Sequence, residues 1–294
     1  MMEQEYDDWI QAGQIAAKVR EEARAWVREN ALIRETADKV EARILELGGK
    51  IAFPAQFSSD NVAAHYCPDA QDETRFARNI VKMDIGVHVS GAVADTAVTI
   101  DLTKEHSSLV KASEEALKAA SELVRPGATP AQIGRAIHEV ITSYGFSPIK
   151  NLSGHGLGRY EVHTSPSIPN YDTGDNNPLK KGQTIAIEPF ATNGLGMIKQ
   201  SSNATVFMLT NPKPVRDITS RKILEKIKGY EGLPFASRWL AGFGAQRVRL
   251  SLSQFVKLGI IEQYPPLVEQ GNGLVSQTEH TFIVDEPAII TTRL

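Results

Sequence analysis

The sequence predicts an α/β (α+β) fold built as two similar halves packed around shared β-structure, and three observations carry that expectation. Two stretches of helical periodicity are followed by strongly apolar, strand-like segments. The same order, a helix pair and then strands, recurs in the second half of the chain. A long helical insert then interrupts the second run of strands. The halves share this pattern and no further sequence identity.

Trp9, Ile15, Val19, Ala23 and Trp26 fall at helical spacing, which predicts a helix over residues 8–29. The pattern repeats over residues 35–47 and stops at Gly48 and Gly49. Extended segments follow: IAFPAQFS, then IVKMDIGVHV and AVADTAVTID, with a turn signal at Ser90-Gly91 between the last two. The second helix pair is expected over residues 107–124 and 130–144. Thr129 and Gln132 are placed to cap each other's amides there, Pro130 takes the first helical position, and Gly145 ends the pair. Next come the glycine-rich SGHGLG, a strand reading QTIAIEPF, the insert, and a final strand reading SQTEHTFIV. Within residues 216–270, RKILEKIKGY and SLSQFVKLGI read as short helices with LPFASRWLAGFG between them. The expected division is therefore a main body of residues 1–215 and 271–294 with a separate helical subdomain at 216–270.

A length of 294 residues with 41% hydrophobic content is enough for a sizeable core and argues against disorder. The balance of 32 basic and 35 acidic residues leaves −3, which gives no global drive towards nucleic acid or an anionic membrane. Any basic surface must be local. Residues 216–270 hold nine Lys and Arg against five Asp and Glu, a charge of +4 that leaves −7 on the remainder. The opening MMEQEYDDWIQAG is acidic where a secretion signal would be basic, and no apolar run is long enough to span a bilayer, so a cytoplasmic protein with no membrane partner is expected. Cys67 is the single cysteine, so a metal here would be held by oxygen and nitrogen ligands.

Five residues draw attention as chemistry. A turn at Ser90-Gly91 pairs residue 89 with 92 and 84 with 97, so Asp84 and Asp95 project from one face as diagonal neighbours, about 7 to 8 Å apart by backbone. Either aspartate alone would ordinarily be a solvated strand residue. Flanking Met83, Ile85, Val93 and Ala94 favour burial, and two buried like charges need a cation to offset repulsion and desolvation. Glu188 ends the apolar TIAIEPF, and Glu279 sits between Thr278 and His280 in the late strand. His155 is flanked by glycines that allow tight backbone conformations and leave the imidazole open. A phosphate-cradling loop is excluded, because GHGLG lacks the following Lys and Ser/Thr. Four carboxylates and an imidazole form a donor set suited to a dinuclear hydrolytic site, with cobalt, manganese, iron and zinc all compatible.

The strings FPAQFSSDNVAAHYCPD, KMDIGVHVSGAVADTAVTID, NLSGHGLGRYEVHT, AIEPFATNGLG and QTEHTF resemble, in order, the signature blocks of the type 2 methionine aminopeptidases. The likeness covers nearly the whole chain and is to the archaeal-like form without a long N-terminal extension. It implies the pita-bread fold, a pseudo-two-fold arrangement with metals at its centre, and an inserted subdomain of winged-helix-like type. It implies two divalent cations, with Asp84 on one, His155 and Glu188 on the other, and Asp95 and Glu279 bridging. His65 and His163 match the histidines that contact the scissile peptide, and Phe53 matches an aromatic wall of the methionine pocket. Cys67 departs from the pattern, which has Thr there. His88, His106, His138 and His280 match no role; His138 is expected at the surface.

The implied activity is removal of the initiator methionine from nascent chains by a hydroxide activated between the cations, with a small second residue preferred. In that scheme His163 polarises the carbonyl and Glu188 relays the proton. A monomer is expected, and the +4 insert reads either as a docking surface for the ribosome or, at least as readily, as a solvated helical subdomain that shapes the substrate cleft. Proline-specific peptidases share the fold and much of the metal set, but the insert and FPAQFS argue against them. Relatives that have lost catalysis and only bind RNA or proteins lack ligands that are all present here.

Overall fold

The computed structural model of the chain describes residues 6–201 and 203–294, so residues 1–5 of the expected main body, and Ser202, lie outside the described residues. The first apolar stripe becomes α1 (Asp7–Arg24) and the second becomes α2 (Ile33–Glu46). α1 ends at Arg24, short of residue 29. The amides of Trp26 and Val27 both donate to the Ala23 carbonyl, and the chain then turns through Asn30 at φ 68°. The strands β1 (Lys50–Ser59), β2 (Val62–Ala64), β3 (Ile80–Val89) and β4 (Ala92–Asp101) follow. Ser90 (φ 50°) and Gly91 (φ 88°) make the β3–β4 turn, the positive-φ pair that a two-residue hairpin requires. Its register pairs Val89 with Ala92 and Asp84 with Ala97, as the spacing predicts. α1 and α2 cover the sheet β1-β3-β4, with Val19, Ala23, Val40 and Ile44 packed on Phe57, Met83 and Ile85.

The second half repeats the plan. α3 (Ser107–Ser121) and α4 (Pro130–Ser143) come first, and α4 carries the expected capping box: the Gln132 amide donates to Thr129 Oγ1 at 3.3 Å and the Thr129 amide to Gln132 Oε1 at 3.1 Å. Then come β5 (Ser147–Pro148), β6 (Ser153–Gly158), β7 (Glu161–Pro169), β8 (Thr184–Ile187) and β9 (Phe190–Thr192). A second core of Leu109, Ile133, Ile137, Ile185, Ile187 and Phe282 joins α3 and α4 to these strands.

β10 (Ile198–Gln200) and β11 (Val206–Leu209) lead into the insert, which holds α5 (Ile218–Lys228), β12 (Phe235–Ala236), a 3-10 turn at Ser237–Phe243, α6 (Ala245–Lys257) and β13 (Ile261–Tyr264). β11 lies between β12 and β13 in one small sheet, and its Phe207 joins Ile223, Phe235, Leu240 and Phe255 in a core of their own. The stretch is thus helix on sheet and begins before residue 216. β14 (Leu267–Glu269), which falls inside 216–270, pairs instead with β2 and β10. The chain closes with β15 (Val275–Gln277), β16 (His280–Ile283) and β17 (Ile289–Ile290).

QTIAIEPF and SQTEHTFIV differ from expectation, because neither is one strand. β8 pairs with β16 and β9 with β15, and the ribbon breaks on both sides at one level, between Ile187 and Phe190 and between Gln277 and His280. Pro189 has no amide to continue the ladder. On the other side the Glu279 amide turns away and donates to Ala97 of β4 at 3.0 Å. Glu188 and Glu279 therefore stand at corners where the strands leave one sheet for another.

Candidate metal centre

The two sheets deliver the predicted residues to one place. In the β3–β4 register Gly86 faces Asp95 and Asp84 faces Ala97, so the two aspartates project from one face as diagonal neighbours. His155 comes from the middle of β6. Its glycines have a different purpose from the expected one: a Cβ at Gly154 would overlap the Ala186 carbonyl and one at Gly156 the Ser165 carbonyl, so they admit close neighbouring strands, and neither has positive φ. Glu188 and Glu279 arrive from the two corners. All five line one cavity of about 220 Å³ together with Phe53, His65 and His163.

His155 Nε2 lies 3.8 Å from Asp95 Oδ2 and 3.6 Å from Glu188 Oε1. Asp95, His155 and Glu279 each offer a donor atom within 4.8 Å of the others. Asp95 and Glu279 are 4% and 1% exposed, far drier than unpaired carboxylates tolerate. Burial pushes the Asp84 carboxyl up to about 7. It raises Asp95, Glu188 and Glu279 well above the carboxylate range, with the repulsion of neighbouring carboxyls second in each case. Burial also holds His155 neutral, down to about 3, the state in which an imidazole ligates. Asp84 Oδ1, Asp95 Oδ1 and Glu279 Oε1 are buried without any hydrogen-bond partner. Three orphaned oxygens beside a neutral imidazole are poorly stable as a protein interior and well suited to a divalent cation, so the donor set fits the implied metal.

Residues beyond the prediction hold this arrangement. Gln277 donates from Nε2 to Glu188 Oε2 at 3.3 Å. Thr281 Oγ1 donates to the Asp95 carbonyl and accepts from the Asp95 amide, both at 2.8 Å, and Thr96 Oγ1 donates to the Glu279 carbonyl at 2.9 Å. Behind Thr96 lies the buried Arg20 guanidinium, beside His280. Gln56 Oε1 accepts the His65 amide at 2.9 Å and holds His65 at φ 68°. The sequence signal for Gln56 and Gln277 was an amide side chain within a buried strand. His163 stacks edge-on against His155, centroids 4.3 Å apart, and Tyr264 from the insert meets His65 the same way at 6.0 Å. His138 is half-buried on α4. Cys67 does not line the cavity: it is 2% exposed and its Sγ accepts from Arg238 Nη1 at 2.7 Å.

The family model for metallopeptidase family M24 matches residues 9–230. The chain is 45% identical over 287 residues to a methionine aminopeptidase of Archaeoglobus fulgidus, covering 97% of each, and 43% identical over 291 residues to one of Methanocaldococcus jannaschii, covering 98% of each. In fold it is similar to a thermophilic Arx1 (TM-score 0.86, 18% identity, 98% of this chain and 90% of that one). It is also similar to a methionine aminopeptidase of Thermotoga maritima (TM-score 0.72, 23% identity, 99% and 97%). At those identities the structural likenesses speak for the pita-bread fold alone.

Proposed function

The chain belongs to metallopeptidase family M24, among its methionine aminopeptidases, and on that footing we propose that it removes the initiator methionine from nascent proteins and peptides with a small second residue. The observation that carries the proposal is the set of buried, unpartnered oxygens of Asp84, Asp95 and Glu279 facing one cavity with His155. Two divalent cations, drawn from cobalt, manganese, iron or zinc, would be held with Asp84 at one position, His155 and Glu188 at the other, and Asp95 and Glu279 between them. Asp95 suits a shared role, since it neighbours Asp84, Glu188 and Glu279 at once. When bound, such a pair supplies Lewis acidity and a water acidic enough to serve as hydroxide near neutral pH.

The chain's own groups do the rest. Glu188, steadied by Gln277, relays the water's proton to the leaving amine. His163 donates to the scissile carbonyl oxygen as charge develops there. Burial holds His65 down to about 4, so it meets the scissile amide as a neutral imidazole. Phe53, Ala64, Leu152, Val162 and Phe190 give the cavity its apolar wall for the methionine side chain, and Tyr264 crowds the exit beside His65, which favours Gly, Ala or Ser next. The deciding experiment measures metal content and Met-Ala-Ser hydrolysis on one purified sample, with Xaa-Pro dipeptides in parallel. Metal-loaded protein that cleaves the dipeptides and leaves Met-Ala-Ser intact would overturn the proposal.

We further place the subdomain boundary at residues 206–264, since β11 joins its sheet and β14 does not. That unit holds ten Lys and Arg against four Asp and Glu, +6 in all. It is proposed to dock the enzyme, as a cytoplasmic monomer, on the ribosome near emerging N-termini. No helix among the described residues is long and apolar enough to cross a membrane. Co-sedimentation with ribosomes that falls steeply with salt is expected; none at low salt ends this part.

A further inference from the structure

The inserted subdomain supplies Val206, Pro234 and Tyr264 to the cavity, and one buried polar junction ties it to the main body. Arg238, 7% exposed, directs its guanidinium to Glu41 of α2, to Cys67 Sγ and, at 3.2 Å, to Asp38. Next to it Trp239 donates from Nε1 to Glu41 Oε2 at 2.8 Å. Glu41, 6% exposed, has one more partner: its Oε1 accepts the amide of Ala55 at 3.1 Å.

Ala55 needs that partner because β1 is irregular there. Phe53 pairs with Gly86 and Gln56 with Asp84, and the register slips between them, so residues 54 and 55 share the one position of Ile85 and neither has a partner of its own on β3. Pro54 has no amide to satisfy; Ala55, buried to 1%, has. The same bulge aims Phe53 and Gln56 into the cavity, and Gln56 in turn holds the His65 amide while His65 sits at positive φ, a conformation that few residues with a Cβ adopt unaided.

We infer that the Arg238–Glu41 pair positions the substrate pocket, pinning the Phe53–Gln56 bulge and through it His65 against the subdomain that closes the cavity. These are positioning residues, because neither touches the cavity. The inference rests on the peptidase proposal for its functional consequence and not for its local geometry. A buried ion pair replaced by apolar groups of similar volume commonly costs a fold little, so stability and positioning can be separated. With Glu41→Leu/Arg238→Met the junction stays filled while the Ala55 amide loses its acceptor.

The experiment compares the double variant, Glu41→Gln, and Asp38→Asn with the wild type, all metal-loaded. Asp38 is the control, since it touches Arg238 from the exposed surface and reaches neither Ala55 nor Trp239. In the double variant, amide hydrogen exchange in peptides spanning residues 50–59 and 62–69 should quicken about tenfold while α4 stays protected. KM for Met-Ala-Ser should rise about tenfold with kcat per bound metal within about threefold. Glu41→Gln should show a smaller change of the same kind, and Asp38→Asn none. Unchanged exchange in those peptides overturns the inference, as does an equal loss of protection in α4, which would mark general destabilisation. A wild type inactive on Met-Ala-Ser would sink the substrate proposal instead, and the exchange data would still decide the positioning role.

Discussion

Stripping the cations from the cluster should make stability fall with rising pH in a way that the loaded protein does not share. Burial pushes Asp84 up to about 7 and the other three carboxyls well above their usual range. A carboxyl whose folded value is raised adds stability at low pH and forfeits it as pH climbs through that folded value. Buried histidines oppose this trend at acid pH. His65 is held down to about 4, and His155 and His280 to about 3, so their contribution is lost as pH falls below the ordinary imidazole value. Lys82, pushed down to about 7 by complete burial, adds stability as pH rises above that point, with or without metal. The informative quantity is therefore the gap between loaded and stripped protein from about pH 6.5 to 8.5. One proton still held by the stripped cluster costs about 1.4 kcal/mol per pH unit, or about 3 kcal/mol across the window. With an unfolding entropy of roughly 0.6 kcal/mol/K for a chain of this length, the gap in Tm should widen by about 5 °C. Thermal unfolding in chelator and in saturating manganese reads it directly. A gap that stays constant or narrows as pH rises would refute the argument that the cluster is protonated for want of a cation.

Asp95→Asn and Glu279→Gln, each of which would weaken both cation positions of the proposed site, are expected to abolish Met-Ala-Ser turnover while circular dichroism stays that of the wild type; near-normal activity at limiting metal would dismiss the five-residue site. Gly86→Ala places a Cβ into the Phe53 ring, so it should raise KM about tenfold and leave metal content intact, checked by kinetics and elemental analysis of one preparation. A spiro-epoxide of the fumagillin class should alkylate His65, whose Nδ1 is buried and unpartnered, and should spare Cys67, whose thiol is pushed up to about 12 by burial and faces Arg238. Peptide mapping that finds the adduct on Cys67 would contradict that ordering.

Helix positions, the capping box of α4 and the β3–β4 register were legible because each depends on neighbours in sequence: spacing, Thr129 with Gln132, and Ser90-Gly91. The diagonal placement of Asp84 and Asp95 followed from the turn alone. The corners at Glu188 and Glu279 were hidden, since the break is a property of two strands side by side, and only Pro189 hinted at it. The same holds for the glycines around His155, whose purpose is set by carbonyls of other strands. Gln56 and Gln277 carried no recognisable spacing, and the Arg238–Glu41 junction joins residues 197 apart. Contacts of that separation leave no trace in a local pattern.

The ribbon that bears Glu188 and Glu279 also makes the candidate centre depend on stretches far apart in the chain. Its second strand follows the whole insert, so Glu279 comes 91 residues after Glu188. Beyond Glu279 the side chain of Gln14 donates to the carbonyls of Thr291 and Arg293, and Arg20 donates to that of Thr292, so α1 is tied to residues 291–293. A chain that stops between Glu188 and Glu279 would carry Asp84, Asp95, His155 and Glu188 without the proposed fifth donor and without the residues that secure α1. On the proposed ligand set, a product cut short before residue 279 would lack one of the five donors however well its first half folds.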